Sequence, residues 1–281
     1  MLPHPSRPLL VASLYMAAII AAAALSLGTA AARNQLAPAQ DAASLLGGER
    51  ARGAVIWSHG RSLQKECSQV PTPDYIGAFR AAGWDTFPLN RPSITDTLLE
   101  SAGALAGEAE ALKRGGYRRV VLAGQSFGGF ISLIAAARSD SVDAVIATAP
   151  AAYGSSLSNP AGYGLNAIRL YDLLGAVRHA RVALFFFEDD IFDPGGRAPV
   201  ADEILTSRGV PHLIVDRPAG LPTHWASIGT AFTAQFAQCL VAFAANGAAR
   251  GTLECHALVA EAQRPMVLPT RSRLVSLPSR N

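Results

Sequence analysis

Charge is scarce in this chain. Only 16% of its 281 residues are Asp, Glu, Lys or Arg, and 24 basic against 21 acidic residues leave a formal net charge of +3. So mild a balance gives no electrostatic footprint for nucleic acid, which is therefore not expected as a partner. Cysteine is scarcer still. Three thiols allow at most one internal disulfide and leave one over. Cys239 falls in the last apolar helical stretch and Cys255 in the segment after it, so these two are the expected pair. The alternative is that all three are small apolar filler. No internal repeat and no low-complexity core is present, which leaves a single domain as the reading of a chain that is 50% hydrophobic.

Residues 1–32 stand apart. Arg7 is followed by an apolar run from Leu9 to Leu27, then small residues up to Ala30-Ala31-Ala32 before Arg33. This is the pattern of a signal peptide with an A-x-A cleavage site, and it predicts an exported protein, periplasmic or secreted. An uncleaved membrane anchor is the alternative, since the run is just long enough to span a bilayer. No cysteine stands near the junction to carry a lipid.

From Ala54 onward apolar runs alternate with helical patterns. Strands are expected at Ala54–Ser58, Trp84–Leu89, Arg118–Ala123, Val142–Thr148, Val182–Phe187 and Val210–Val215. Helices are expected at Asp74–Ala82, Thr95–Arg114, Ala167–His179, Pro199–Arg208 and Trp225–Ala245, and from the elbow described next to Arg138. Such alternation predicts an α/β fold, a mostly parallel sheet of about six strands with helices on both faces. The domain is placed at residues 33–246. Residues 247–281, with Arg264, Arg271, Arg273 and Arg280 among prolines and serines, read as a loosely ordered extension; a basic patch for a membrane surface is the sharper alternative.

Val120 to Arg138 carries the chemistry. An apolar strand runs into Gly124-Gln125-Ser126-Phe127-Gly128 and then into an Ala-rich helix. A glycine-bracketed serine between strand and helix is a nucleophile elbow: the chain reverses sharply, and the glycines let strand and helix approach. Ser126 would stand at the strand's C-terminal end, with the positive end of a helix dipole behind it.

Over about Ala54 to Ala245 these features resemble the α/β-hydrolase superfamily, in the style of small-capped esterases and dienelactone hydrolases. Trp57-Ser58-His59-Gly60-Arg61 resembles the family's His-Gly turn, which implies an oxyanion hole from the backbone N–H groups of Arg61 and Phe127, with His59 structural. The family's chain order is serine, acid, histidine, which singles out His224. His4 and His59 come too early, His179 precedes the acid strand, His212 lies inside the last strand and His256 in the tail. The acid belongs among Glu188, Asp189, Asp190 and Asp193. The family's spacing of strand, acid and proline favours Asp190, with Asp193 as its competitor or as a helix cap before Arg197.

The resemblance thus implies a serine hydrolase for a small-molecule ester or acyl substrate, with no cofactor and no metal. A peptidase or thioesterase using the same triad, or a non-catalytic binding protein on the same scaffold, are the alternatives. Only 33 residues separate Thr148 from Val182, too few for a multi-helix lid. Tyr153, Phe192 and Trp225, with Phe127 and Tyr163, are the expected substrate walls, and Cys67 is expected near the rim.

Overall fold

The computed structural model describes residues 35–36, 42–68, 70–92, 94–247 and 250–264. The leader reading for residues 1–32 and the tail beyond 264 lie outside the described residues.

Seven strands form one sheet in the order β1-β3-β2-β4-β5-β6-β7. They are β1 (Gln35–Leu36), β2 (Ala54–Ser58), β3 (Asp85–Asn90), β4 (Val120–Gln125), β5 (Ala144–Thr148), β6 (Arg181–Phe186) and β7 (His212–Asp216). All neighbours from β3 to β7 are parallel, and only the two-residue β1 runs antiparallel, against Leu89 and Asn90. This edge strand is the one addition to the six expected; two residues are too short to show any periodicity.

The strands read as continuous apolar runs because both faces are covered. Side chains alternate between them. Ile56, Leu122, Val145 and Leu184 face one core, with residues of α2 (Leu98–Arg114), α3 (Phe127–Arg138), α5 (Leu165–Ala176) and α6 (Arg197–Ser207). Val55, Val121, Ile146 and Phe185 face the other, with residues of α1 (Asp74–Ala81), α7 (Thr230–Ala245) and α8 (Cys255–Ala262). Each fully buried Leu, Ile or Phe contributes about 1.5–3 kcal/mol through area removed from water, so these two layers supply the bulk of the stabilisation.

Local signals set the element ends. The α2 helix starts where the Thr97 hydroxyl accepts from the Glu100 amide, and it carries Lys113 and Arg114 in its last turn, against the negative end of the dipole. Between β5 and β6 the chain makes only the short α4 (Pro160–Tyr163) and α5. The α7 helix begins at Thr230 rather than Trp225, because Gly229 is extended and residues 226–228 form a 3₁₀ turn.

The segment after 246 contributes structure up to residue 264. His212 forms a parallel bridge with Thr252 along the outer edge of β7, where the His212 amide donates to the Gly251 carbonyl at 3.0 Å and the Leu253 amide donates to the His212 carbonyl at 2.7 Å. A disulfide joins Cys239 of α7 to Cys255 at the start of α8, with Cα atoms 5.1 Å apart. Cys67 is in no disulfide and lies half-buried in the loop after β2.

Candidate active site

In a parallel sheet every loop that leaves a strand's C-terminal end emerges on the same edge, and the site is assembled there. Ser126 sits between β4 and α3 with φ 55° and ψ −120°, a strained backbone for a residue with a side chain. Packing enforces it. A Cβ on Gly124 would lie 2.3 Å from the Gly128 carbonyl, and one on Gly128 would lie 2.0 Å from the Ser58 carbonyl oxygen, so only glycine fits at either position. The Ser126 hydroxyl makes no cap hydrogen bond to α3, which leaves it available for chemistry. Phe127, at the first helical position, has no intrahelical acceptor for its N–H.

Strain marks the whole edge. Five non-glycine residues have positive φ among the described residues: Ser126, Ala149, Asp189, Arg217 and Thr223. Ser126, Ala149 and Arg217 directly follow β4, β5 and β7; Asp189 and Thr223 flank the acid and the histidine. Such clustering accompanies sites whose geometry the surrounding structure over-determines.

Two of the residues picked out by chain order meet. His224 and Asp190 are 3% and 6% exposed. The His224 Nδ1–H donates to the Asp190 carboxylate, 2.9 Å from Oδ1 and 3.0 Å from Oδ2, which leaves the lone pair on Nε2. The Phe192 amide also donates to Asp190 Oδ1, at 2.8 Å. The four carboxylates of this loop diverge. Asp193 accepts from the Gly195 amide at 2.8 Å and from Arg197 Nε at 2.7 Å, a brace for the start of α6, while Glu188 and Asp189 are exposed.

The acid and histidine loops are tied together: Glu188 and Pro222 form a parallel bridge, and the Thr223 amide donates to the Glu188 carbonyl at 2.7 Å. Buried polar groups that sequence reasoning missed complete the frame. Gln125 Nε2 donates to the His224 carbonyl at 3.1 Å. Thr148 and Ser227 pair through their hydroxyls at 2.8 Å. Asn166 accepts from the amides of Ala152 and Tyr153 and donates to the carbonyls of Gly154 and Phe192. Gln125 stands next to the serine, the one positional hint among them.

Of the expected aromatic walls, two touch the histidine. The Phe192 ring lies tilted over His224 with centroids 4.3 Å apart, and Trp225, largely exposed, meets it edge-on at 5.3 Å. Tyr153 and Tyr163 are engaged elsewhere: the Tyr153 ring packs edge-on against Phe130, and the Tyr163 hydroxyl donates to the Asp193 carbonyl. The Phe127 ring is buried and carries the guanidinium groups of Arg61 and Arg91 over it, each 5.3 Å from its centroid. His59 is buried, and its ring nitrogens lie 2.6 Å from the Gly60 carbonyl and 3.2 Å from the Arg91 carbonyl. Burial first, and the Arg91 charge second, lower its pKa to about 4, so at neutral pH the ring is uncharged and structural.

No family model and no curated protein matches the sequence. Solved structures do. A Pyrococcus horikoshii acylaminoacyl peptidase aligns with TM-score 0.56 over 75% of this chain, at 16% identity. A Paleococcus ferrophilus monoacylglycerol lipase aligns with TM-score 0.54 over 71% of this chain and 96% of its own, also at 16% identity. The protein has the α/β-hydrolase fold. A Pyrococcus furiosus esterase shares it at TM-score 0.51 and 12% identity, over 69% of this chain and 82% of the esterase. The chain spans only 40% of the acylaminoacyl peptidase and 37% of a Mycobacterium tuberculosis puromycin-hydrolysing peptidase, so in those proteins the α/β-hydrolase fold is one part of a longer chain. The fold is thus a scaffold used by esterases, lipases and peptidases.

Proposed function

We propose that the protein is a serine hydrolase that cleaves carboxylic esters through an acyl-enzyme on Ser126. The observation that carries this reading is the buried Asp190–His224 pair, bonded through Nδ1, on the same sheet edge as a serine held at positive φ. In the proposed cycle the Ser126 Oγ attacks the acyl carbon while His224 Nε2 takes its proton. Negative charge builds on the carbonyl oxygen, where the amides of Arg61 and Phe127 receive it; losing one such donor costs about 3 kcal/mol of barrier. His224 then protonates the leaving alcohol, and the same steps with water release the acid. Asp190 keeps the ring in the required tautomer and stabilises the imidazolium.

The surroundings of the site favour an apolar acyl group. Among the described residues, six of the ten exposed large hydrophobics, Leu63, Val70, Ile94, Leu157, Trp225 and Ile228, lie on the segments leaving the C-terminal ends of strands. Export belongs to the same proposal, supported by the disulfide, which fits an oxidising compartment, and by the N-terminal sequence pattern.

A fluorophosphonate probe and a panel of chromogenic esters, anilides and thioesters of rising acyl length provide the test. Wild type is expected to label and to prefer esters, and Ser126→Ala to do neither while keeping its fold. Turnover by folded Ser126→Ala would sink the proposal, and preference for anilides would transfer it to a peptidase. N-terminal sequencing of the exported fraction should find a start near Arg33; an intact Met1 on membrane-bound protein would replace export by anchoring.

A further inference from the structure

Arg91 is fully buried, at 0% exposure, which is rare for arginine; its Nε has no hydrogen-bond partner among the described residues, and its two terminal nitrogens carry all of its bonds. It directly follows β3, and its guanidinium reaches three things at once. One nitrogen binds the carboxylate of Asp96, and the other donates to the carbonyl of His59 and, at 3.3 Å, to that of Gly60. The plane also lies against the Phe127 ring, 5.3 Å from its centroid. Asp96 in turn holds Arg61, whose Nε is 3.3 Å from the other carboxylate oxygen.

The consequence follows from peptide geometry. The Gly60 carbonyl and the Arg61 N–H belong to one planar, trans peptide unit and point in opposite directions, so fixing the oxygen aims the hydrogen. Arg91 reaches that oxygen at 3.3 Å and shares it with the His59 ring, whose Nδ1 lies 2.6 Å from it and 3.2 Å from the same Arg91 nitrogen, so Arg91 braces both the oxygen and the ring beside it. The same guanidinium packs over the ring of Phe127, the residue that carries the second amide of the proposed hole. Arg61 and Phe127 are 66 positions apart in sequence, and one guanidinium touches the Gly60–Arg61 peptide and the Phe127 ring. A planar fork with five donors can span two adjacent carbonyls and a carboxylate, which a lysine cannot.

We propose that Arg91, held by Asp96, is the positioning residue of the oxyanion hole, aiming the Arg61 amide through the Gly60 carbonyl and seating Phe127. The inference rests on the serine-hydrolase reading above. It assigns Arg91 no contact with substrate: its effect appears only where charge develops on the carbonyl oxygen, in the transition state.

The test compares the full-length wild type with Arg91→Lys, which keeps the charge beside Asp96, and with Arg91→Met/Asp96→Leu, which removes the buried pair together so that neither charge is left alone. Three quantities are read on each folded variant: kcat and KM on a short-chain chromogenic ester, the Ki of a trifluoromethyl ketone whose tetrahedral adduct places an oxyanion in the hole, and the melting temperature. Both variants are expected to lose roughly 10- to 100-fold in kcat, less than deletion of a donor. KM should stay within about twofold and the ketone Ki should weaken by the same factor as kcat/KM, since only interactions specific to the transition state are removed. A purely structural role would lower the melting temperature and leave kcat and Ki untouched, which overturns the proposal; so does a loss carried by KM alone. A wild type that neither turns over nor labels with fluorophosphonate overturns the serine-hydrolase reading itself. An active, labelled wild type with unaffected variants overturns only the role of Arg91. Should Arg91→Lys fail to fold, the double variant supplies the decision.

Discussion

Asp190 and Asp193 stand three positions apart in one loop and have different work. Asp190 receives the His224 ring from both carboxylate oxygens, whereas Asp193 grips Arg197 at the start of α6. Asp190→Asn should therefore invert the hydrogen-bond polarity at Nδ1, favour the wrong tautomer and cut kcat by up to roughly 10⁴-fold with KM little changed. Asp193→Asn should chiefly lower stability, because the buried Arg197 loses its counter-charge. Purified, folded variants ranked the other way in kcat would move the acid to Asp193. A second residue-scale prediction concerns pH. Folding lowers the His59 pKa from 6.5 to about 4. Between those values the unfolded chain binds a proton that the folded chain refuses, so the contribution to stability is complete above about pH 6.5 and is lost as pH falls toward 4, about 3 kcal/mol in all. Urea unfolding of wild type and His59→Gln across that window should show the wild type losing more stability on acidification; equal slopes would exclude it. What was legible at this scale was the residues whose chemistry constrains their sequence context: the glycine-bracketed serine, an acid after a strand, a histidine in the following loop. Arg91, Gln125 and Asn166 were not. Their partners are largely backbone carbonyls and amides, brought near from 31 or 99 positions away in the cases of Gly60 with Arg91 and His224 with Gln125, and no side-chain pattern announces such a pairing.

Strands were more legible than helix ends. β2, β4, β5 and β6 are short, mainly apolar runs buried at every position, and β3 and β7 are buried over part of their length, so the signal is the run itself, and the expected bounds shift by only a residue or two. Helix ends are decided by single backbone angles instead. The run through residue 179 suggested a longer α5, but the chain leaves the helix at Val177 with φ −66° and ψ 133°, directly ahead of β6. β1 carries no readable pattern in two residues and exists because Leu36 and Gln35 find the open edge of β3. The α8 helix was hidden for a related reason. At eight residues it is too short to be stable alone, and its helicity depends on packing Leu258 and Val259 into the core beside α7. Elements whose stability is local were readable, and those that exist through docking were not.

The molecule has two dissimilar ends. The sheet edge with Ser126 carries strained backbone and exposed apolar side chains, while the opposite edge carries charge, including a cavity of about 340 Å³ lined by Arg119, Asp143, Arg178 and Arg181. Arg181 is spent structurally there: it donates to the carbonyls of Phe243, Ala244 and Asn246 at the end of α7, and burial, with the Arg119 charge second, lowers its pKa to about 10. With the proposed chemistry at one end and fastening at the other, the disulfide has a defined role. It closes a loop whose ends are 16 positions apart and holds the segment that covers the outer edge of β7. Cross-linking a loop of that size restricts the unfolded chain by about 3 kcal/mol. Replacing Cys239 and Cys255 together by alanine should reduce the unfolding free energy by about that amount and lower the melting temperature by several degrees. The Asp190–His224 bond and the elbow use none of these contacts, so ester turnover at 25 °C should stay within about twofold of wild type, because substitutions that share no partners act independently. Calorimetry and kinetics on the same preparation decide it. An unchanged melting temperature would show that packing alone seats α8, and a proportionate loss of kcat in folded protein would show that the fastening reaches the site.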